Sequence, residues 1–209
     1  MGNLRSSGLT YLMILLVTMI IVFAAASVIT GETTNSTTTE SDYEQILDDV
    51  LDDISTYIQV KDQKGKFYKI NDEYKIQKIA VLISPLITKE IDLSKLTIQI
   101  DNGELVNILY YQNGVDIISS NSLFEHSIWN NLNGSNFSLI SINDLDKSIV
   151  NFDTFNKNSD MAYLVFKLPD SFAMKKYDTI KLTMFPDSGI TRTIILEAPM
   201  PITSVITFE

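Results

Sequence analysis

Cysteine is absent from this chain of 209 residues, and histidine occurs once, at position 126. Without a thiol there is no disulfide, no thiolate zinc centre and no cysteine nucleophile. A single histidine builds no conventional zinc site, and no His-x-x-x-His spacing exists. In its Phe124-Glu125-His126 setting it reads as a loop or surface residue. Basic residues are also scarce: 16 Lys and Arg against 26 Asp and Glu give a formal net charge of −10. Nucleic-acid binding needs clustered cations. The one basic cluster, Lys61, Lys64, Lys66 and Lys69, is diluted by Asp62 and broken by Gly65, and Lys64-Gly65-Lys66 reads as a solvated hairpin turn. There is no Gly-x-Ser-x-Gly elbow, no P-loop and no dinucleotide fingerprint. Nucleic acid is thereby excluded as a partner, and no constellation of acid, base and nucleophile supports an enzyme.

What is present begins with a run from Ser6 to Gly31 that holds no charged residue. Its apolar part, Leu9 to Ile29, is long enough as a helix to cross a hydrocarbon core of roughly 30 Å at about 1.5 Å per residue. Arg5 precedes the run and Glu32 follows it, so the positive flank stays inside and the rest of the chain lies outside. Three fates are open. The segment is a secretory signal cut after Ala24-Ala25-Ala26, a plain membrane anchor, or a pilin-like helix that loses only the residues before it. In the third case the helix leaves the lipid and bundles with copies of itself, because a helix apolar on every face must be buried on every face. The positions expected in that bundle are Gly8, Leu9, Leu12, Leu16, Ile20, Phe23, Ala24 and Val28. Gly8 and the alanines permit close backbone approach.

Residues 1–5 form a short leader, 6–30 the apolar helix, 31–57 a polar linker and amphipathic helix, and 58–209 an outer domain. Thr30–Glu40 is Thr-rich and polar. Ser41 with Glu44 forms a capping box, and Tyr43, Ile46, Leu47, Val50, Leu51, Ile54 and Tyr57 recur at helical spacing. From Ile58 the pattern turns to short strands: Ile76–Ser84 stopped by Pro85, Leu96–Ile100, a turn at Asp101-Asn102-Gly103, and Leu105–Tyr111. Asn113-Gly114 signals a second turn. Phe137–Ile142, Met161–Leu168, Thr179–Phe185, Arg192–Leu196 and Ile202–Phe208 supply further strands. Many short strands without intervening helices predict an all-β sandwich or barrel.

Few residues suggest chemistry. Asp48, Asp49, Asp52 and Asp53 place carboxylates at i and i+4, which reads first as a solvated acidic face and second as a divalent-cation attractor. Asn143, Asp144 and Asp146 offer oxygens at alternate positions but lack the Gly and distal Glu of a Ca²⁺ hand. Trp129, Phe124, Tyr110 and Tyr111 read as core before they read as a sugar platform. Three Asn-x-Ser/Thr sequons, at Asn35, Asn133 and Asn136, are candidate glycosylation sites.

Ser6-Ser7-Gly8-Leu9-Thr10-Tyr11-Leu12-Met13, running into Ala24-Ala25-Ala26-Ser27-Val28-Ile29, resembles the mature start of archaellins, the subunits of the archaeal swimming filament. Ile91-Asp92-Leu93-Ser94, Asn143-Asp144-Leu145, Pro186-Asp187-Ser188-Gly189 and Ala198-Pro199 resemble later phrases of that family, in order. The resemblance implies an Ig-like β-sandwich carried on a long N-terminal hydrophobic α-helix. It further implies a homo-oligomeric helical filament outside the cell, used for motility, and a membrane-anchored state before assembly. Cleavage by a prepilin-type peptidase would fall between Arg5 and Ser6, where Leu4-Arg5 stands in place of the family's usual basic residue and Gly. No cofactor or metal site is assigned, although a divalent cation in the outer domain enters consideration through the family. An archaeal adhesion pilin, an accessory anchor protein and an exported membrane-anchored binding domain are the alternatives.

Overall fold

A computed structural model of the chain describes residues 56–70, 72–117, 122–200 and 203–208, preceded by helical residues 45–47, 50 and 54. Arg5, Ser6, the apolar-helix positions Gly8, Leu9, Leu12, Leu16, Ile20, Phe23, Ala24 and Val28, the sequon at Asn35, and Asp48, Asp49, Asp52 and Asp53 lie outside the described residues. All described residues but Gln45 belong to one compact unit, Ile46–Glu209.

This unit is mostly β. In chain order the strands are β1 (Ile58–Ile70), β2 (Glu73–Pro85), β3 (Ile91–Asp92), β4 (Thr97–Asp101), β5 (Val106–Asp116), β6 (Asn136–Asn143), β7 (Thr154–Phe155), β8 (Met161–Lys167), β9 (Thr179–Phe185), β10 (Arg192–Glu197) and β11 (Val205–Thr207), with a short helix α1 (Ser148–Phe152) before β7. Nine strands form one sheet in the order β10-β9-β4-β5-β6-β8-β2-β1-β11, and β3 pairs with β7. All pairs are antiparallel except β5 with β6.

The sheet is curled. Met174, in the segment leading into β9, exchanges both backbone hydrogen bonds with Ile76 of β2 (2.8 and 3.1 Å), across the sheet from its neighbours in strand order. One apolar core then collects side chains from both ends of the sheet. Ile98, Leu109, Leu182 and Leu196 come from one half, and Phe67, Ile79, Leu164 and Phe208 from the other or its flank. In β4, β9 and β10 alternate apolar side chains face the core: Ile98 and Ile100, Ile180 and Leu182, Ile194 and Leu196 point inward. Strands β2, β8 and β6 are covered on both faces. The segment carrying Phe124, Ile128, Trp129 and Leu132 packs on Ala80, Val165 and Ile140 from outside. Their near-continuous apolar runs follow from that double burial.

Two sequence readings are corrected. Lys64-Gly65-Lys66 is not a turn: it lies inside β1 and pairs with β2 on one side and β11 on the other. Glycine is needed there because a Cβ would stand 2.9 Å from the Phe208 ring and 3.1 Å from Ile76. The chain reverses near Asp72, whose φ is +63°. Asn113-Gly114 is likewise no turn but an irregularity in β5, where the pairing with β6 jumps between Tyr111 and Gly114. A Cβ at Gly114 would meet the Ile149 carbonyl oxygen at 2.6 Å.

The predicted helix after Ser41 is helical where it is described, and its Ile46, Leu47, Val50 and Ile54 are exposed rather than packed on the sheet.

Gly65→Ala is expected to destabilise the domain by about 1–3 kcal/mol through overpacking against Phe208 and Ile76. Gly103→Ala has no such neighbour, and its cost arises only from the φ of +87°. Thermal unfolding of the two variants separates the packing effect from the backbone effect.

Candidate functional site

The family-like phrases gather at structural corners. Asp92 accepts hydrogen bonds from the Ser94 backbone N–H (3.0 Å) and hydroxyl (2.6 Å), capping a single 3-10 turn, Leu93–Lys95. Lys95 then reaches Asp187 of the Pro186–Gly189 turn at 2.9 Å. Leu93 donates its backbone N–H to the Asp153 carbonyl at 2.7 Å. The Asp153 side chain accepts from the Tyr111 hydroxyl. Ala198 is held by backbone bonds with Tyr177 and Asp178. These residues set the corners of the sheet and bring no reactive pair together.

The oxygen-rich loop after β6 is joined by a residue that the sequence did not mark. Asp144, Asp146 and Asp160 bring carboxylate oxygens within 4.8 Å of one another. Asn143 turns away, donating to the Ser159 carbonyl at 2.7 Å. Hard oxygens of this type suit Ca²⁺ or Mg²⁺, but the chain already engages them. Asp144 accepts from the N–H groups of Ser148 (2.9 Å) and Ile149 (3.0 Å) at the start of α1. Asp160, buried, accepts from the N–H groups of Asn156 (3.0 Å) and Lys157 (2.9 Å). Asp146 accepts from the Lys157 ammonium at 2.6 Å and the Asn156 amide at 3.0 Å. Lys157 supplies the positive charge that a divalent ion would bring, and an ion would have to displace it. The cluster acts as a clasp on the β6–α1 and β7–β8 connections.

Electrostatics agree with a clasp. The Lys157 side chain, and after it the Asn156 amide, hold the Asp146 carboxyl well below the usual carboxylate range. The Lys157 ammonium is raised by the same bond. Burial pushes the Asp144 carboxyl up, against the pull of its two backbone donors.

His126 lies in the loop where it was read but is buried, and its Nδ1 accepts from the Ile128 backbone N–H at 3.1 Å. Trp129 and Phe124 are core residues stacked at 5.6 Å. Tyr111 packs edge-on against Phe137, whereas Tyr110 is exposed.

The two described sequons differ. The Asn133 side chain is exposed, and its amide oxygen accepts from the Ser135 N–H (3.1 Å) and hydroxyl (2.9 Å). Asn136 sits at the start of β6, and its Nδ2 donates to the Gln112 amide oxygen at 2.8 Å. Ser138, two residues on, is fully buried.

Large apolar side chains also project into solvent. Leu145 is 84% and Phe152 73% exposed, flanking the acidic clasp, and Val106, Ile108 and Tyr110 form an exposed row on β5. Contiguous apolar surface of this kind marks an interaction site more often than isolated residues do.

The model of the family described as archaeal-type flagellin matches residues 7–196. Flagellin B3 of Methanocaldococcus jannaschii is 29% identical over 153 residues, which covers 70% of this chain and 69% of that protein. The crystal structure of the archaeal flagellin FlaB1 from Methanocaldococcus jannaschii superposes with a TM-score of 0.65 at 22% identity, covering 72% of this chain and 95% of that one. The archaeal flagellum of Methanospirillum hungatei strain JF1 superposes with a TM-score of 0.51 at 8% identity, over the full length of both chains. At such identities the structural likeness speaks for the fold.

Asp160→Ala is expected to destabilise the domain by about 1–3 kcal/mol, because two backbone donors lose their buried acceptor. Lys157→Met, on an exposed pair, lowers Tm at pH 7 by much less. A carboxyl held below its ordinary range contributes stability above that range and loses the contribution as pH falls. The difference between wild type and Lys157→Met should therefore close in acid, as followed by thermal melts between pH 7 and pH 2.

Proposed function

Because the chain belongs to the archaeal-type flagellin family, we propose that it is a structural subunit of the archaeal swimming filament, polymerising through its N-terminal apolar helix to support motility. The observation that carries this reading is the family match, which runs from Ser7 through the uncharged segment and on to Leu196, so that the apolar segment and most of the strand-rich remainder fall within one match. The curled sheet is the outer domain, read as an Ig-like sandwich displayed outside the cell. Residues 6–30 are the filament-core helix, held in the membrane before assembly and released for it by a prepilin-type peptidase acting between Arg5 and Ser6.

Physical chemistry supports the assignment. The segment from Ser6 to Gly31 has no charge to present to water, so it persists only in lipid or among its own copies. Burial of its apolar surface, at roughly 25 cal/mol per Å², is the driving force for a long-lived polymer. The exposed Ile46, Leu47, Val50 and Ile54 add apolar surface of their own. Leu145, Phe152 and the β5 row offer lateral contacts between outer domains.

Ile20→Asp is expected to abolish filaments while leaving the outer domain folded. Negative-stain electron microscopy of cells reports the first, and the thermal melt of the purified full-length variant in detergent reports the second. Filaments of normal length from Ile20→Asp cells would overturn the reading.

A further inference from the structure

Three lysines stand in one row across three adjacent strands. Lys66 of β1 is paired with Lys78 of β2, and Lys78 with Lys167 of β8. All three point away from the core, because their neighbours Phe67, Ile79 and Phe166 point into it. Like charges directly opposite on neighbouring strands repel. None of the three makes an ion pair among the described residues, although the chain carries a net charge of −10.

The row is half-buried. The Lys78 ammonium lies 5.4 Å from the Tyr68 ring centre and 5.1 Å from that of Trp129, and donates to the Phe124 carbonyl at 3.1 Å. The Lys66 ammonium lies 5.6 Å from the same Tyr68 ring centre. Burial first, and then the charges of Lys167 and Lys66, hold Lys78 below the ordinary lysine range, against the opposing pull of Glu125. The row opens on a groove of about 600 Å³ walled by Tyr68, Lys78, Lys167, Leu168 and Pro169. Asp170, also on its wall, is engaged by the Gln77 amide at 2.9 Å. Cations set among aromatic and apolar side chains suit a carboxylate-bearing segment that is itself partly apolar.

One segment of the chain has that character. Residues 40–53 hold seven carboxylates and no lysine or arginine, so most of the net negative charge is concentrated there. Ile46, Leu47, Val50 and Ile54 of the same stretch are exposed, so the helix they belong to is not laid on the sheet of its own copy. In a polymer the row of one copy and the acidic stretch of another are brought together at high local concentration, and opposite charge favours their contact.

We propose that the lysine row and its groove receive residues 40–53 of a second copy of this chain, with carboxylates of that segment seated on Lys66, Lys78 and Lys167. The spacing is compatible. At helical spacing Asp48 and Asp52 lie about 6 Å apart along the axis, and adjacent strands about 4.8 Å apart. A helix crossing the strands therefore offers successive carboxylates to successive lysines. The contact ends the lysine repulsion and lets two acidic copies approach. It rests on the polymer reading above and adds to it the surface that one outer domain presents to its neighbour.

Carbodiimide treatment of purified filaments tests the contact, because it couples a carboxylate to an amine only where the two already touch. The expected product is a covalent dimer whose linked peptides join Lys66 or Lys167 to residues 40–53. Links from the row to carboxylates elsewhere, or none from the row, overturn the proposal. Charge reversal in cells gives a second readout. Lys66→Glu with Lys167→Glu should abolish filaments, and adding Asp48→Lys with Asp52→Lys should restore them. The thermal melt of the full-length double-glutamate variant in detergent should be no lower than that of wild type, since each new glutamate faces Lys78. Normal filaments from that variant, or a loss that the second pair leaves unreversed, overturn the proposal. The two readings fail separately: wild-type cells without filaments remove the polymer itself, whereas filaments indifferent to the lysines remove only this contact.

Discussion

The Ile76–Met174 backbone exchange holds the curled sheet together. A domain without cysteine has no covalent closure and must enclose its core by geometry. Nine strands laid flat would expose one whole apolar face. Bringing the approach to β9 onto β2 turns that face inward on itself. The remaining design follows: Gly65 must lack a side chain so that Phe208 can lie over β1, and the last strand, β11, needs only three residues to seal that edge. A short, shielded edge also limits unwanted strand pairing between copies, which matters for a protein that must associate through chosen surfaces at high local concentration.

The two halves of the chain divide the work by solvent. The N-terminal segment carries no charged residue from Ser6 to Gly31. The outer domain is acidic and, buried Asp160 apart, keeps most of its charged groups at least partly exposed, several in pairs such as Lys95–Asp187 and Lys147–Asp116. Exposed pairs of this kind add little stability each. Their role is to fix corners: Lys95 ties two turns, and Lys157 closes the clasp around Asp146. Net stability has to come from the apolar core, which is why the conspicuous exposed residues, Leu145 and Phe152 among them, are better explained by contact with another molecule than by the isolated fold.

Much of the strand pattern was legible in the sequence. Period-two alternation located β4, and a long apolar run bounded by Pro85 located β2, because those signals depend only on which face is buried. The misreadings share one cause. In the sequence Gly65 and Gly114 read as turn residues because glycine ordinarily marks a reversal. In both cases the need for glycine comes from a group distant in sequence, Phe208 for one and the Ile149 carbonyl for the other. The acidic clasp escaped in part for the same reason: Asp144 and Asp146 were visible as a pair, but Asp160 reaches them only through the fold. His126 looked like a surface residue because no pattern announces a side chain that caps its own loop.

Charge distribution carries the last step. Several cations of this acidic chain sit beside carboxylates, as Lys64 does with Asp62 and Lys75 with Glu73, but Lys66, Lys78 and Lys167 face one another across β1, β2 and β8. A fold selected for stability alone would place a carboxylate at one of these positions, since opposite charges there are favourable.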